Sequence, residues 1–131
     1  MKVNQADRWF SLCVRHAAGW QCEKCGKVYP ENSMGLHNSH NFSRRHRTIR
    51  WCADNTLALC YPCHQWFGGN PADSGEWLRQ QIGDGMLDLL REKRDSMVKV
   101  SKAEEKEIAA HYRKEYRRMV ETGSREFESW Q

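Results

Sequence analysis

The sequence predicts a small α+β protein: a ββα module tied by paired cysteines, with one helix before it and a helical part ending in a long helix after it. Three observations carry that reading. Cys22-x2-Cys25 and Cys60-x2-Cys63 set two thiol pairs 34 residues apart. Between them lie an extended stretch from Met34 to Phe42 and a short apolar run, Thr56-Leu-Ala-Leu59, which leads into a helix at Cys63-His64-Gln-Trp-Phe67. On both flanks the apolar residues recur at helical spacing instead. The 131 residues suit one domain, 1–131, divided into a first helix over 1–19, the core module over 20–69 and helices over 73–131.

Taken in order, Trp9, Phe10, Cys13, Val14 and Ala17 give one apolar face to a helix from about Asn4 to Ala18, and Gly19 stops it. Cys22-Glu-Lys-Cys25-Gly26 is a knuckle, two thiols on a tight turn with a glycine that permits the reversal. Val28 to Pro30 is expected to start a short strand, and Gly68-Gly69 to end the module's helix. Asp73 or Ser74 is expected to cap a helix carrying Trp77, Leu78 and Ile82, broken at Gly83-Asp84-Gly85, and a second helix runs from Met86 to about Lys93. Ser101 with Glu104 has the form of a capping box. It opens a long helix whose stripe of Ile108, Tyr112, Tyr116, Met119 and Val120 runs to Gly123. Seven acids and seven bases over 101–128 make the outer face of that part balanced and solvated. The stripe fits the chain's own core or a partner subunit, so a two-fold homodimer through Ile108, Tyr112, Tyr116 and Met119 is one expected assembly.

No apolar run approaches membrane-spanning length, and the opening MKVNQADRWF lacks the basic-then-apolar pattern of a signal peptide. A cytoplasmic protein with reduced thiols and no membrane partner is the expectation. Four thiols at this spacing in such a compartment point to zinc. Cys22, Cys25, Cys60 and Cys63 complete a tetrahedral all-sulfur shell with no open position, so that ion is structural. Cys52 has no partner at metal spacing, and Cys13 falls on an apolar helix face.

The net charge of +4 is unevenly spread: residues 1–53 hold nine Lys or Arg against three acids, and the remainder twelve against fourteen. No acid lies between Glu31 and Asp54, where Arg44, Arg45, Arg47 and Arg50 cluster. Such a patch suits a polyanion, and these four arginines suit contacts to DNA phosphates. Trp51 and Trp66 are expected to pack rather than to stack on unpaired bases.

Within this basic stretch, His40 ends a strand, Asn55 precedes an apolar strand and His64 directly follows a CxxC pair. That pattern resembles the HNH, or ββα-metal, nucleases. The likeness extends along almost the whole chain. ADRWFSLCVRH before the first knuckle, SHNFSRRHRTIRW, GGNP after the module's helix and IAAHYR in the last helix resemble the phage NinG (Rap) recombination family. The layout is similar to that of the phage junction nuclease endonuclease VII. The resemblance implies an endonuclease acting on branched DNA intermediates, Holliday junctions and D-loops, inside a bacterial host. It also implies that Asn55 braces the loop and orients the base rather than reacting.

The chemistry asks for the same residues. Hydrolysis of a phosphodiester needs a proton taken from water and charge neutralised on the phosphorane. A neutral imidazole, His40, suits the general base, and His64 suits a ligand of a catalytic divalent cation, Mg²⁺ or Mn²⁺. Ser39 stands where many HNH enzymes carry an acidic or His ligand. His37, on the same strand face as residue 39, is expected to take that role. The competing expectations are a nicking or site-reading HNH nuclease on duplex DNA and a non-enzymatic zinc-containing module that binds nucleic acid.

Overall fold

The computed structural model describes residues 1–131 and places five α-helices around a two-stranded antiparallel sheet. Helix α1 (Gln5–Ala17) starts at Asn4, whose side chain accepts from the Asp7 N–H while the Asp7 carboxylate accepts from the Asn4 N–H. That reciprocal cap satisfies two orphan donors of the first turn. Its apolar side (Ala6, Phe10, Cys13, Val14) is buried.

The chain then reverses at the first knuckle, where the Cys22 N–H donates to the Lys27 carbonyl and Gly26 takes φ +80°. The strand expected at Val28 to Pro30 reduces to a single bridge, Gln21 to Val28, because so tight a turn lets only one residue pair face another. Strands β1 (Leu36–His40) and β2 (Thr56–Cys60) pair in the register Leu36 to Cys60 and His40 to Thr56. All five residues of β2 are buried. Leu36, Leu57, Ala58 and Leu59 form the centre of the core beside the cysteines, with Leu78 and Leu87 covering it.

Helix α2 (Tyr61–Gly69) follows β2 without a loop, with Pro62 in its first turn. Helix α3 (Pro71–Ile82) begins at Pro71 rather than after Asp73 or Ser74. Proline's fixed φ favours the first helical position, and Ser74 turns inward, its hydroxyl donating to the Phe67 carbonyl at 2.8 Å. The break to α4 (Asp84–Arg94) is one residue, Gly83 at φ +84°, and Gly85 lies inside the helix.

Helix α5 (Lys102–Thr122) is capped by the Ser101 hydroxyl, which accepts from the Glu104 N–H, and ends at Gly123 in the left-handed conformation. Its stripe faces α1. Ile108, Tyr112 and Met119 are fully buried against Ala6, Phe10, Cys13, Val14 and Trp51, and Tyr116 is half-buried against Trp9. The stripe expected to serve a homodimer is therefore spent on the chain's own core. The segment after α5 lies across the loop between the strands. Gln131 accepts from the Trp51 N–H and donates to the Arg47 carbonyl, and the Ser129 hydroxyl accepts from the Ala53 N–H. No helix is long and apolar enough to cross a membrane.

Candidate metal centre and histidine cleft

The two knuckles meet. Cys22 and Cys25 come from the turn after α1, Cys60 from the end of β2 and Cys63 from the first turn of α2, and their sulfurs all lie within 4.8 Å of one another. Cys25 and Cys60 Sγ are 3.7 Å apart, close to the roughly 3.8 Å that two sulfurs 2.3 Å from one tetrahedral ion must keep. The four cysteines are positioned to bind a metal ion, and the all-sulfur set is consistent with structural zinc. Burial raises the Cys22 thiol, but backbone N–H donors from Cys25, Cys60 and Lys24 outweigh it and bring it down to about 6. Burial and neighbouring thiols push Cys63 up, a conflict that a cation among four sulfurs removes. Glu23 holds the knuckle to the sheet: its N–H donates to the Ala58 carbonyl and its carboxylate accepts from the Ala58 N–H.

Beside this centre, a cleft of about 690 Å³ runs between α1 and β1 and is lined by His37, His40, His64, Asn38 and Arg44. His37 from β1 and His64 from α2 point their Nδ1 atoms at each other, 3.0 Å apart. That separation is an N–H···N hydrogen bond, and it equally matches the spacing of about 3.0 Å between adjacent ligands held 2.1 Å from one six-coordinate ion. Burial, with His37 adding to it, lowers the His64 imidazole below its usual value, so it is neutral and able to ligate. Ser39 does not join them: it is buried, its hydroxyl has no partner, and it lies outside the cleft lining.

His40 donates from Nε2 to the Arg50 carbonyl oxygen at 2.8 Å. A carbonyl only accepts, so the proton is fixed on Nε2 and Nδ1 is left as the basic nitrogen. Burial pushes this imidazole down to about 4, with the Arg44 and Arg50 charges adding to it, against the opposing Arg50 carbonyl and Asp7. The ring is neutral at neutral pH.

Asn55 is fully buried and touches no solvent. Its Oδ1 accepts from the Phe42 N–H at 2.9 Å, and its Nδ2 donates to the Phe42 and Ile49 carbonyls at 3.0 and 3.2 Å. It thus clamps both ends of the loop whose next residue, Arg50, supplies the carbonyl that orients His40. Asn55 is a brace for the loop that orients His40.

The four loop arginines separate. Arg44 lines the cleft and Arg45 is exposed. Arg47 pairs with Glu105, donates to the Val100 carbonyl and lies over the Trp51 ring. Arg50 is buried, with Nε donating to Asp7 at 3.0 Å and Nη2 to the second oxygen of the same carboxylate. Burial raises the Asp7 carboxyl, but Arg50, the Asn4 N–H and Arg44 outweigh it and hold it below its usual value. Arg50 is thus withdrawn from any phosphate, and Arg47 is engaged with α5. The reason is that Asp7, which the sequence marks only as a helix residue, folds back 43 positions to meet the loop. Trp51 is buried with its indole N–H on Asp7, and Trp66 packs on Trp77 under the Lys24 ammonium, so both pack as expected.

Two arginines of the cleft lining are absent from the sequence-based site: Arg8 and Arg15 of α1. Their signal is present in the sequence, since residues seven apart share a helix face, but the apolar face of α1 is the one that periodicity picks out. Comparison with known protein families, with curated proteins and with solved structures gives no match to this chain.

Proposed function

We propose that the chain is a metal-dependent endonuclease of the HNH kind that hydrolyses DNA phosphodiesters. The observation that carries this reading is the meeting of His37 and His64 at 3.0 Å in the same cleft as a neutral, tautomer-fixed His40. Two convergent imidazoles without a carboxylate partner fit a cation that keeps most of its waters, Mn²⁺ or Mg²⁺. When bound there, such a cation supplies charge neutralisation on the phosphorane and the leaving oxygen. His40 Nδ1 takes the proton from the attacking water, and its Nε2–H stays on the Arg50 carbonyl, so the ring does not turn as it is protonated. Its lowered basicity keeps it unprotonated between turnovers. Arg44 sets positive charge at the rim, and Asn55 holds the loop that aims the base. The four-cysteine centre is structural zinc: with all four positions taken by sulfur it has none left for water.

Preference for branched recombination intermediates rests on the NinG-like segments of the sequence. The test is cleavage of a labelled four-way junction beside matched duplex and single strand, each with Mg²⁺, Mn²⁺ or chelator. Metal-dependent cutting that His40→Ala abolishes supports the reading. Tight binding without cutting under every cation removes it and leaves a zinc-containing DNA-binding module.

A further inference from the structure

The cleft has a second wall made by α1, and that wall is cationic. Arg8 and Arg15 line it, and neither has a carboxylate within ion-pair distance, unlike Arg44, which lies 3.9 Å from Asp7. Asp7, the acid nearest them on the helix, is committed to Arg50 and Trp51.

Arg15 is half-buried and meets only neutral groups. Its Nε donates to the Ser11 carbonyl at 3.2 Å, its Nη1 to the Ser33 carbonyl at 3.3 Å, and its guanidinium sits 5.0 Å from the Trp20 ring centre. These bonds use two of the five guanidinium N–H donors and no carboxylate neutralises the charge, so Arg15 keeps donors for an anion in the cleft. Arg8 is exposed two turns earlier on the same side of α1. Seven residues put the two about 10 Å apart along the helix axis, a separation from which two long arginine side chains reach the phosphates on either side of one between them.

We infer that Arg8 and Arg15 grip the sugar-phosphate backbone of the strand being cut, one on each side of the scissile phosphate, and so set its register against His40. The inference rests on the nuclease reading and assigns to α1 the role that Arg47 and Arg50 do not fill.

Binding of a labelled oligonucleotide, followed by fluorescence anisotropy across a salt series in the His40→Ala protein, tests it. Arg8→Gln and Arg15→Gln should each weaken binding about tenfold at low salt. Each should also lower the slope of log affinity against log salt by about 0.7–0.9. Arg117→Gln, at an exposed position of α5 beside Trp9, should change neither. Arg15→Lys, which keeps the charge, should recover most of the loss and so separate charge from folding. Arg8 is exposed, so Arg8→Gln carries the test even if Arg15→Gln melts early. Unchanged affinity and slope in Arg8→Gln would overturn the inference. An enzyme that cuts DNA while its Arg8 variant binds normally keeps the nuclease reading and loses this one. A protein that binds through Arg8 and Arg15 but fails to cut under every cation loses the nuclease reading, and with it the scissile register, and keeps only the strand-binding role of α1.

Discussion

Replacing Asn55 with alanine removes three hydrogen bonds at once, and the structure tells which of the freed groups suffer. The Ile49 carbonyl keeps a second donor, the Cys52 N–H at 3.2 Å. The Phe42 N–H and Phe42 carbonyl lose the Asn55 side chain as their partner. An orphaned backbone group costs about 1–3 kcal/mol, and Phe42 is only partly screened from water, so Asn55→Ala should cost about 2–4 kcal/mol. Urea unfolding followed by tryptophan fluorescence reads this as a lower midpoint at an unchanged slope. The loop so loosened carries the Arg50 carbonyl, so kcat should fall further than stability explains at temperatures where the variant stays folded. Asn55→Asp keeps an acceptor for Phe42 but loses both donors and buries a charge, so it should be at least as damaging. A loss below about 1 kcal/mol for Asn55→Ala, the scale of a single replaceable hydrogen bond, would refute the clamp.

Cys25→Ser should leave less than one zinc per chain by metal analysis and loosen the module, because ligand binding energy in such sites is part of folding energy. Equal zinc content and melting in this variant would remove the metal assignment. His40, held near 4 when folded against 6.5 unfolded, takes up its proton in the unfolded chain first. Stability from this group is therefore complete above about pH 6.5 and lost as pH falls toward 4, by up to about 3 kcal/mol. His40→Gln should flatten that part of the urea-midpoint profile, and an unchanged profile would contradict the buried neutral ring. Asp7→Asn leaves the Arg50 charge buried beside a neutral amide and should cost about 3–5 kcal/mol. Cleavage by His37→Ala and His64→Ala should fall together, with partial recovery in excess Mn²⁺; loss in only one would separate the two imidazoles.

The ends of the first and last helices, the strand pair and the cysteine cluster were legible because each depends on residues close in sequence or on a fixed ligand spacing. Ser101 and Gly123 act as caps where local rules put them, and the first helix starts at Asn4 as its periodicity indicated. The division of the arginines was not legible. Arg50 differs from Arg45 only through Asp7, and no periodicity or composition signals a contact spanning 43 residues. The start of α3 falls earlier than expected because Pro71 outweighs two plausible capping side chains, Asp73 and Ser74. Within the cleft, the strand and helix carrying His37 and His64 could be read off, but their 3.0 Å meeting could not. It depends on how α2 leaves β2 through Cys60 and Cys63.

The strap formed by Ser129 to Gln131 bears on the order in which the molecule matures. The cysteine cluster is complete once residues 22 to 63 have met, and such a unit can gather early around its ion. The aim of His40 depends instead on a segment pinned from far away: Tyr112 donates to the Trp51 carbonyl and accepts from the Trp130 N–H, and Gln131 spans the Arg47 carbonyl and the Trp51 N–H. Contacts of such sequence separation form late, because their loops must close first. A half-folded chain would gather its four cysteines before the His40 ring was aimed. On the nuclease reading proposed above, hydrolysis is thereby deferred until the fold has closed.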